Sequence, residues 1–236
     1  MNVPNNLGTS IRNYLKHQSS DRMFVKQELD SLVARLPGTA IFGGMLREFA
    51  LGNARRFLSD IDLVTLAAQR DIAKVVEHLS PVRNKFGGFR FVIAKQSFDI
   101  WAFDDTWAFK QGLVKATNVD DLLKTTFFNL DASLLQLSGN NRCLQSDECQ
   151  WGIENRVLEV NLAENPYPDR MVKRAIRLSF ERDLAIGPAL ATYIAKHAQL
   201  CKLNWLNRVF LRDLNEHLAS GSARNFICRP QRSLFP

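Results

Sequence analysis

The stretch IFGGMLREFALGNARRFLSDIDLVT, residues 41–65, holds the pattern that decides the fold. A short apolar run ends at a Gly-Gly pair, and a second apolar run follows an Asp-Ile-Asp triplet. Alternate side chains of a β-strand share one face, so Asp60 and Asp62 point the same way, about 7 Å apart. The pattern therefore predicts a strand that carries two carboxylates on one face.

Two carboxylates on one face suit Mg²⁺, whose remaining ligands are water and phosphate oxygens. Paired divalent ions activate an attacking hydroxyl and stabilise a leaving pyrophosphate. Asp99 lies in the otherwise apolar stretch 98–103, and we expect a neighbouring strand to bring it to the same site. The alternative for this third carboxylate is a salt bridge to Lys95 or Arg90.

Gly43 and Gly44 are predicted to end one strand and open a helix. Glycines let the backbone approach a phosphate closely, and the N–H groups at a helix start point towards an anion. Arg47 follows about one helical turn later and is expected to reach the same anion. The alternatives are an ordinary tight turn at the glycines and a solvated arginine.

Hydrophobic periodicity predicts an α+β fold. Helices are predicted at 9–35, 45–51, 68–79 and 119–124, and strands at 39–42, 61–66, 89–94 and 97–103, with the last two strands as an antiparallel hairpin. Further helices are predicted at 169–183, 188–200 and 204–219. We therefore expect a mixed-sheet domain over 1–164 and a small all-helical, basic domain over 165–236.

The charge distribution indicates a polyanionic partner. The 236 residues have a net charge of +7. Residues 1–164 contain 19 Lys and Arg against 19 Asp and Glu, whereas residues 165–236 contain 12 against 5. A basic segment beside a neutral one favours a nucleic acid backbone or a triphosphate as partner. The alternative is an arginine-rich helical surface without such a partner.

Nothing in the sequence predicts a membrane protein or an exported one. No stretch reaches about 20 uninterrupted apolar residues, and the N-terminus lacks the basic-then-apolar pattern of a secretory signal. The cysteines are scattered, without CxxC pairs or zinc-type spacing: Cys143, Cys149, Cys201 and Cys228. Free thiols and a cytoplasmic location are therefore expected.

Several stretches together resemble the head domain of the DNA polymerase beta-type nucleotidyltransferases, and more narrowly bacterial poly(A) polymerases and CCA-adding tRNA nucleotidyltransferases. The matching stretches, within residues 38–187, are Gly-Gly-x-x-Arg at 43–47, SDIDL at 59–63, FDIWAF at 98–103, DLLKTTF at 121–127 and RAIRL at 174–178. The resemblance implies transfer of a nucleoside monophosphate from an NTP to an acceptor hydroxyl, with release of pyrophosphate. The implied acceptor is the 3′ end of an RNA, with tRNA as the first candidate.

The resemblance also implies roles for individual residues. Asp60, Asp62 and Asp99 become the catalytic residues and the ligands of two Mg²⁺ ions, with Mn²⁺ as a substitute. The implied nucleotide-binding residues are Gly43, Gly44, Arg47, Ser59, Lys124, Arg174 and Arg177. The basic residues 165–236 become the neck domain that contacts RNA.

The chain also departs from the family pattern. Lys124-Thr125-Thr126 stands where the family has Arg-Arg-Asp, and residues 128–132 match only with one inserted residue. Two alternatives therefore stay open. One is a nucleotidyltransferase acting on a protein, small molecule or nucleotide, as in toxins or phage defence. The other is a catalytically inactive module that binds nucleotide or RNA.

Overall fold

The computed structural model describes residues 7–16, 20–54, 57, 59–139 and 142–197. The helix predicted at 204–219, Cys201 and Cys228 lie outside these residues. Cys143 and Cys149 are both free thiols. Within the described ranges, no helix is long and apolar enough to cross a membrane.

The predicted helices and strands up to Ala102 are present, with shifted ends. The α-helices are α1 (Leu7–Leu15), α2 (Ser20–Arg35), α3 (Gly44–Ala50), α4 (Gln69–Val76), α5 (Trp107–Lys110), α6 (Asp147–Asn155), α7 (Pro168–Arg182) and α8 (Pro188–His197). The strands are β1 (Ala40–Phe42), β2 (Ile61–Thr65), β3 (Val82–Arg83), β4 (Phe89–Ile93), β5 (Gln96–Ala102), β6 (Ser133–Gln136), β7 (Cys143–Gln145), β8 (Val157–Leu158) and β9 (Ala185–Ile186). The segment predicted as helical at 119–124 is a 3₁₀ helix, Val119–Thr125.

Seven strands form one mixed sheet in the order β3-β4-β5-β2-β1-β6-β7. β2 and β5 pair in parallel, while the other neighbours in this sheet pair antiparallel. The predicted hairpin of β4 and β5 is therefore confirmed, and its second strand lies directly beside β2. The mixed-sheet α+β fold is confirmed as well.

The two faces of this sheet differ in what covers them. One face joins α1–α4 in a large apolar cluster, to which the strands contribute residues such as Ile61, Leu63, Phe98 and Ile100. The alternating burial of β4 assigns Phe89, Phe91 and Ile93 to that covered face and leaves Arg90 and Val92 exposed on the other. Burial of one face fixes the strand register, because a slip of one residue would turn every apolar side chain outward.

The opposite face is covered over only part of its area. A smaller apolar cluster there joins Phe42, Val64 and Leu134 to Leu122 of the 3₁₀ helix. Trp101 packs against this cluster and meets the Phe42 ring edge-on, with 6.1 Å between ring centroids. The acidic side chains of β2 and β5 lie on this second face, next to the cluster.

The chain divides into two compact units at a point earlier than the expected boundary near residue 165. The first unit comprises the described residues of 1–126 and 131–147, and the second comprises those of 127–130 and 148–236. Backbone hydrogen bonds explain the assignment of 127–130. Asn129 N–H donates to the Glu159 carbonyl at 3.0 Å, and Asn161 N–H donates to the Phe127 carbonyl at 2.8 Å. The division into a catalytic domain, 1–164, and a neck domain, 165–236, stays a prediction.

The second unit contains the predicted helices α7 and α8, together with α6, which was not predicted. The expectation of an all-helical neck needs one correction, because β9 pairs in parallel with β8 in a small two-stranded sheet. Two residues per strand are too few for a periodicity that sequence analysis recognises.

A capping network fixes the start of the 3₁₀ helix beside the sheet. Asn118 accepts a hydrogen bond from Asp120 N–H at 2.8 Å. The Asp121 carboxylate accepts from Lys124 Nζ at 2.8 Å and from the N–H groups of Thr117 and Asn118 at 2.9 and 3.1 Å. The bond from Lys124 and those from Thr117 lower the pKa of Asp121 below its usual range.

We predict that Asp121→Asn lowers the melting temperature at neutral pH, and that the difference from the unchanged protein shrinks in acid. Because the pKa of Asp121 is lower in the folded protein, its carboxylate stabilises the fold fully at pH values above the pKa of the unfolded chain, which is about 4. This stabilisation is lost as the pH falls from there through the pKa of the folded protein. Circular dichroism melts between pH 7 and pH 3 measure it. Asp120→Asn is the control, because Asp120 is half exposed and lies 3.7 Å from Arg142. A difference that stays constant with pH would contradict the prediction.

Candidate active site

A row of side chains crosses the second face of the sheet and contains the predicted acidic residues. Asp62 on β2 is the direct register partner of Asp99 on β5. The row continues through Phe42 on β1 on one side and Arg90 on β4 on the other. Neighbouring strands lie about 4.8 Å apart, so the two carboxylates of the row stand side by side.

Arg90 links the third carboxylate to this row. Its Nε donates to Asp99 Oδ1 at 2.9 Å, and its Nη2 contacts Asp99 Oδ2 and lies 3.0 Å from Asp60 Oδ2. Asp60, Asp62 and Asp99 are therefore brought to one place on the sheet, as expected. The salt bridge between Asp99 and Arg90, weighed as an alternative for this carboxylate, is present as well.

The electrostatics of the cluster follow from this contact. The hydrogen bonds and charge of Asp99, and to a smaller extent the charges of Asp60 and Asp62, raise the pKa of Arg90. The guanidinium thus stays charged and offsets part of the repulsion between the three carboxylates.

The donor set of the cluster suits a hard divalent cation. Carboxylate oxygens are the ligands that Mg²⁺ prefers, and Asp60, whose side chain is 40% exposed, leaves room for water and phosphate oxygens. Among the described residues, no group of three or more His, Cys, Asp or Glu side chains is already arranged as a metal site. Asp60, Asp62 and Asp99 would hold the ion once the Arg90 guanidinium moves aside.

The diglycine turn leaves the sheet beside these carboxylates. It follows Phe42, the register partner of Asp62, and Gly44 opens α3. Gly43 has φ +70°, a conformation that glycine adopts without strain. Its N–H donates to the Ser133 carbonyl at 2.9 Å, so this donor holds β1 to β6.

Arg47 lies beneath the turn, and its side chain is only 5% exposed. Its guanidinium forms ion pairs with Asp131 and, at 3.1 Å, with Glu48 Oε1. Burial alone would lower the pKa of Arg47, but the charges of Asp131 and Glu48 raise it. These contacts tie the start of α3 to the segment before β6. Triphosphate binding by Arg47 stays a prediction.

The remaining predicted residues lie in several parts of the fold. Ser59 is exposed, and its carbonyl accepts a hydrogen bond from Gln96 at 2.8 Å. Lys124 is bonded to Asp121, as described above. Arg174 and Arg177 belong to the second unit, where both are exposed on α7. Nucleotide binding by these residues stays a prediction.

Arg90 was expected only as an alternative salt-bridge partner of Asp99, and Asp131 was not expected at the site at all. The sequence indicates the orientation of Arg90, because the alternation Phe89-Arg90-Phe91 predicts that its side chain faces away from the apolar layer. It then shares the face of its hairpin partner Asp99. Asp131 had no such signal, because its contact with Arg47 spans 84 residues of sequence.

Comparison with known proteins finds similarity to CCA-adding enzymes over most of this chain. No protein-family model matches the chain. A CCA-adding enzyme of Staphylococcus aureus (strain MRSA252) is 23% identical over 171 residues, which is 70% of this chain and 42% of that protein. A solved CCA-adding enzyme in complex with CTP superposes with a TM-score of 0.57 at 16% identity, over 89% of this chain and 49% of that one.

The chain has the fold of the CCA-adding enzyme head. A tRNA nucleotidyltransferase solved with a primer tRNA and an incoming ATP analog is also similar, with a TM-score of 0.51 and 15% identity over 69% of this chain and 47% of that one. The resemblance to the poly(A) polymerase and CCA-adding type is thereby confirmed. The chain spans less than half the length of the CCA-adding relative from Staphylococcus aureus.

We predict that Arg47→Met destabilises this head by about 3 kcal/mol, because it removes the guanidinium charge from beside the buried Glu48 and Asp131 carboxylates. Urea unfolding measures the change, with Arg70→Met, a change at an exposed side chain of α4, as the control. If Arg47 instead serves mainly to bind triphosphate, Arg47→Met will unfold like the control and raise the KM for the nucleotide.

Proposed function

We propose that the protein transfers a nucleoside monophosphate from an NTP to the 3′ hydroxyl of an RNA, with tRNA as the first candidate acceptor. The observation that carries the proposal is the convergence of Asp60, Asp62 and Asp99 beside a diglycine turn. The similarity to CCA-adding enzymes, one of them solved with CTP, supports both the reaction class and the acceptor.

The reaction needs an acceptor oxygen, a phosphorus atom and a leaving group in line. The 3′ oxygen attacks the α-phosphorus, a new P–O ester bond forms, and the bond to the β-phosphate oxygen breaks to release pyrophosphate. Asp99 accepts the hydroxyl proton, since its carboxylate is the one on the neighbouring strand. Asp60, Asp62 and Asp99 would hold Mg²⁺, which would neutralise phosphate charge and favour ionisation of the hydroxyl. Positioning supplies much of the rate.

The diglycine turn and Arg47 have separate tasks in this proposal. The turn lets the backbone pass close to the triphosphate, while Arg47, through its buried ion pairs, keeps the turn in place. The basic residues of 165–236 bind the RNA backbone, and Arg174 and Arg177 on α7 are two of the described ones.

An inactive nucleotide- or RNA-binding module is the second candidate function. The observation in its favour is the salt bridge from Arg90 to Asp60 and Asp99, which neutralises the carboxylates without a metal ion. Nucleotidyl transfer and binding alone are separated by the following assay.

We predict that the protein lengthens tRNA when incubated with labelled NTPs and Mg²⁺, and that Asp60→Asn and Asp62→Asn each reduce the rate at least about 10³-fold, by removing the charge that holds the ion. Both variants should keep the circular dichroism spectrum of the unchanged protein. Each NTP is tested alone and in mixture, and Asp104→Asn, an exposed residue outside the row, is the control.

Other labelled products decide between the alternatives. Label found in protein or in small molecules, with none in RNA, would show that the acceptor is not RNA. Binding of NTP without any incorporation, unchanged in the Asp62→Asn variant, would favour the inactive module.

We also predict that tRNA affinity falls steeply with salt, and that Arg174→Gln combined with Arg177→Gln lowers the slope of log K against log salt by about 1 to 2. Fluorescence anisotropy between 50 and 200 mM salt measures the slope. Arg70→Gln, a change at an exposed arginine of α4, should leave the slope unchanged. An unaltered slope in the double variant would place the RNA contact elsewhere.

A further inference from the structure

A guanidinium lies within the carboxylate cluster. Arg90 uses Nε and Nη2 to hold both oxygens of Asp99, and the same Nη2 reaches Asp60. Asp62 stands beside Asp99 in the register and adds its charge to the same environment. One side chain from β4 thus supplies positive charge to Asp99 of β5 and to Asp60, the residue before β2.

A divalent ion and this guanidinium require the same oxygen atoms. Asp60 Oδ2 and the Asp99 oxygens are the ligands that the chemistry of the site assigns to the ion, and they are the acceptors of Arg90. The two cations therefore compete for the carboxylates of Asp60 and Asp99, and their like charges repel each other at this distance. Binding of the ion weakens the Arg90 contact.

Arg90 is placed so that it can leave. Its side chain is 56% exposed, whereas that of Arg47, which holds the diglycine turn, is 5% exposed. Exposed ion pairs are individually weak, because water and salt screen them. The Arg90 backbone stays paired in the sheet while its side chain rotates into solvent, so no core contact is lost.

We propose that Arg90 is an exchangeable internal counter-ion, which holds Asp60 and Asp99 before a divalent ion binds and which that ion displaces. The inference rests on the proposed function, since the ion is the one that nucleotidyl transfer requires. Arg90 is thus a positioning residue. It prevents the carboxylates from repelling one another in the metal-free protein, and it weakens metal binding by competition.

The test is a titration of the protein with Mn²⁺ alone, in which electron paramagnetic resonance measures the concentration of free Mn²⁺. The loss of two partly exposed ion pairs predicts that Arg90→Gln binds Mn²⁺ roughly tenfold more tightly than the unchanged protein. Arg90→Lys, which keeps the charge but loses the two-nitrogen contact, should lie between them. Without Mn²⁺, Arg90→Gln should melt at a lower temperature, and Mn²⁺ should raise that temperature more than in the unchanged protein.

Arg83→Gln is the matched control. Arg83 on β3 carries the same charge, is exposed, and donates to Gln69 at 2.6 Å instead of to the carboxylates. A general charge effect would tighten Mn²⁺ binding equally in both variants, whereas competition affects Arg90→Gln alone. The tighter binding should vanish when Asp62→Asn is added, which assigns the gained affinity to this cluster.

The outcomes separate this inference from the proposed function. Equal or weaker Mn²⁺ binding by Arg90→Gln overturns the inference, even if the protein extends tRNA. A tenfold gain in Arg90→Gln, absent in Arg83→Gln, supports it, even if no nucleotide is transferred to any acceptor. Undetectable Mn²⁺ binding in both the unchanged protein and Arg90→Gln also overturns it.

Discussion

The parallel pairing of β2 with β5 places the carboxylates of Asp62 and Asp99 side by side, and the rest of the site follows from this constraint. Like charges at the spacing of neighbouring strands repel, and a cation must offset that repulsion. The Arg90 guanidinium is such a cation, and it also contacts Asp60. The same repulsion is what makes the cluster suitable for divalent ions.

Packing on the opposite face of the sheet holds this arrangement in place. The side chains that alternate with the carboxylates, Ile61, Leu63 and Phe98, are fully buried against the helical layer. A shift of one residue in β2 would expose them and bury the acids, at a large cost in stability. The diglycine turn is held by a different device, the buried pair of Arg47 with Asp131. Stability and chemistry therefore depend on opposite faces of the same strands.

Local pattern predicts the parts of the site that depend on one strand, and fails where distant segments meet. Side chains alternate between the two faces of a strand, and this predicts that Asp60 and Asp62 share a face. Asp99 was expected at the site because it is a single acidic residue in an otherwise apolar strand. The parallel register of β2 and β5 has no local signal, because a helix and two strands separate them in the chain. For the same reason Asp131 was missed, and β8 and β9 are too short for any periodicity.

The central claim is that a divalent ion replaces Arg90 at the carboxylates of Asp60 and Asp99, next to Asp62. A crystal structure of the protein with Mn²⁺ and a non-hydrolysable NTP analogue, with anomalous scattering to locate the metal, tests it most directly. We expect an anomalous peak about 2 Å from carboxylate oxygens of the cluster Asp60, Asp62 and Asp99, with the Arg90 side chain turned away from both Asp60 and Asp99. An Arg90 that still bridges Asp60 and Asp99, with manganese bound elsewhere or nowhere, would contradict it.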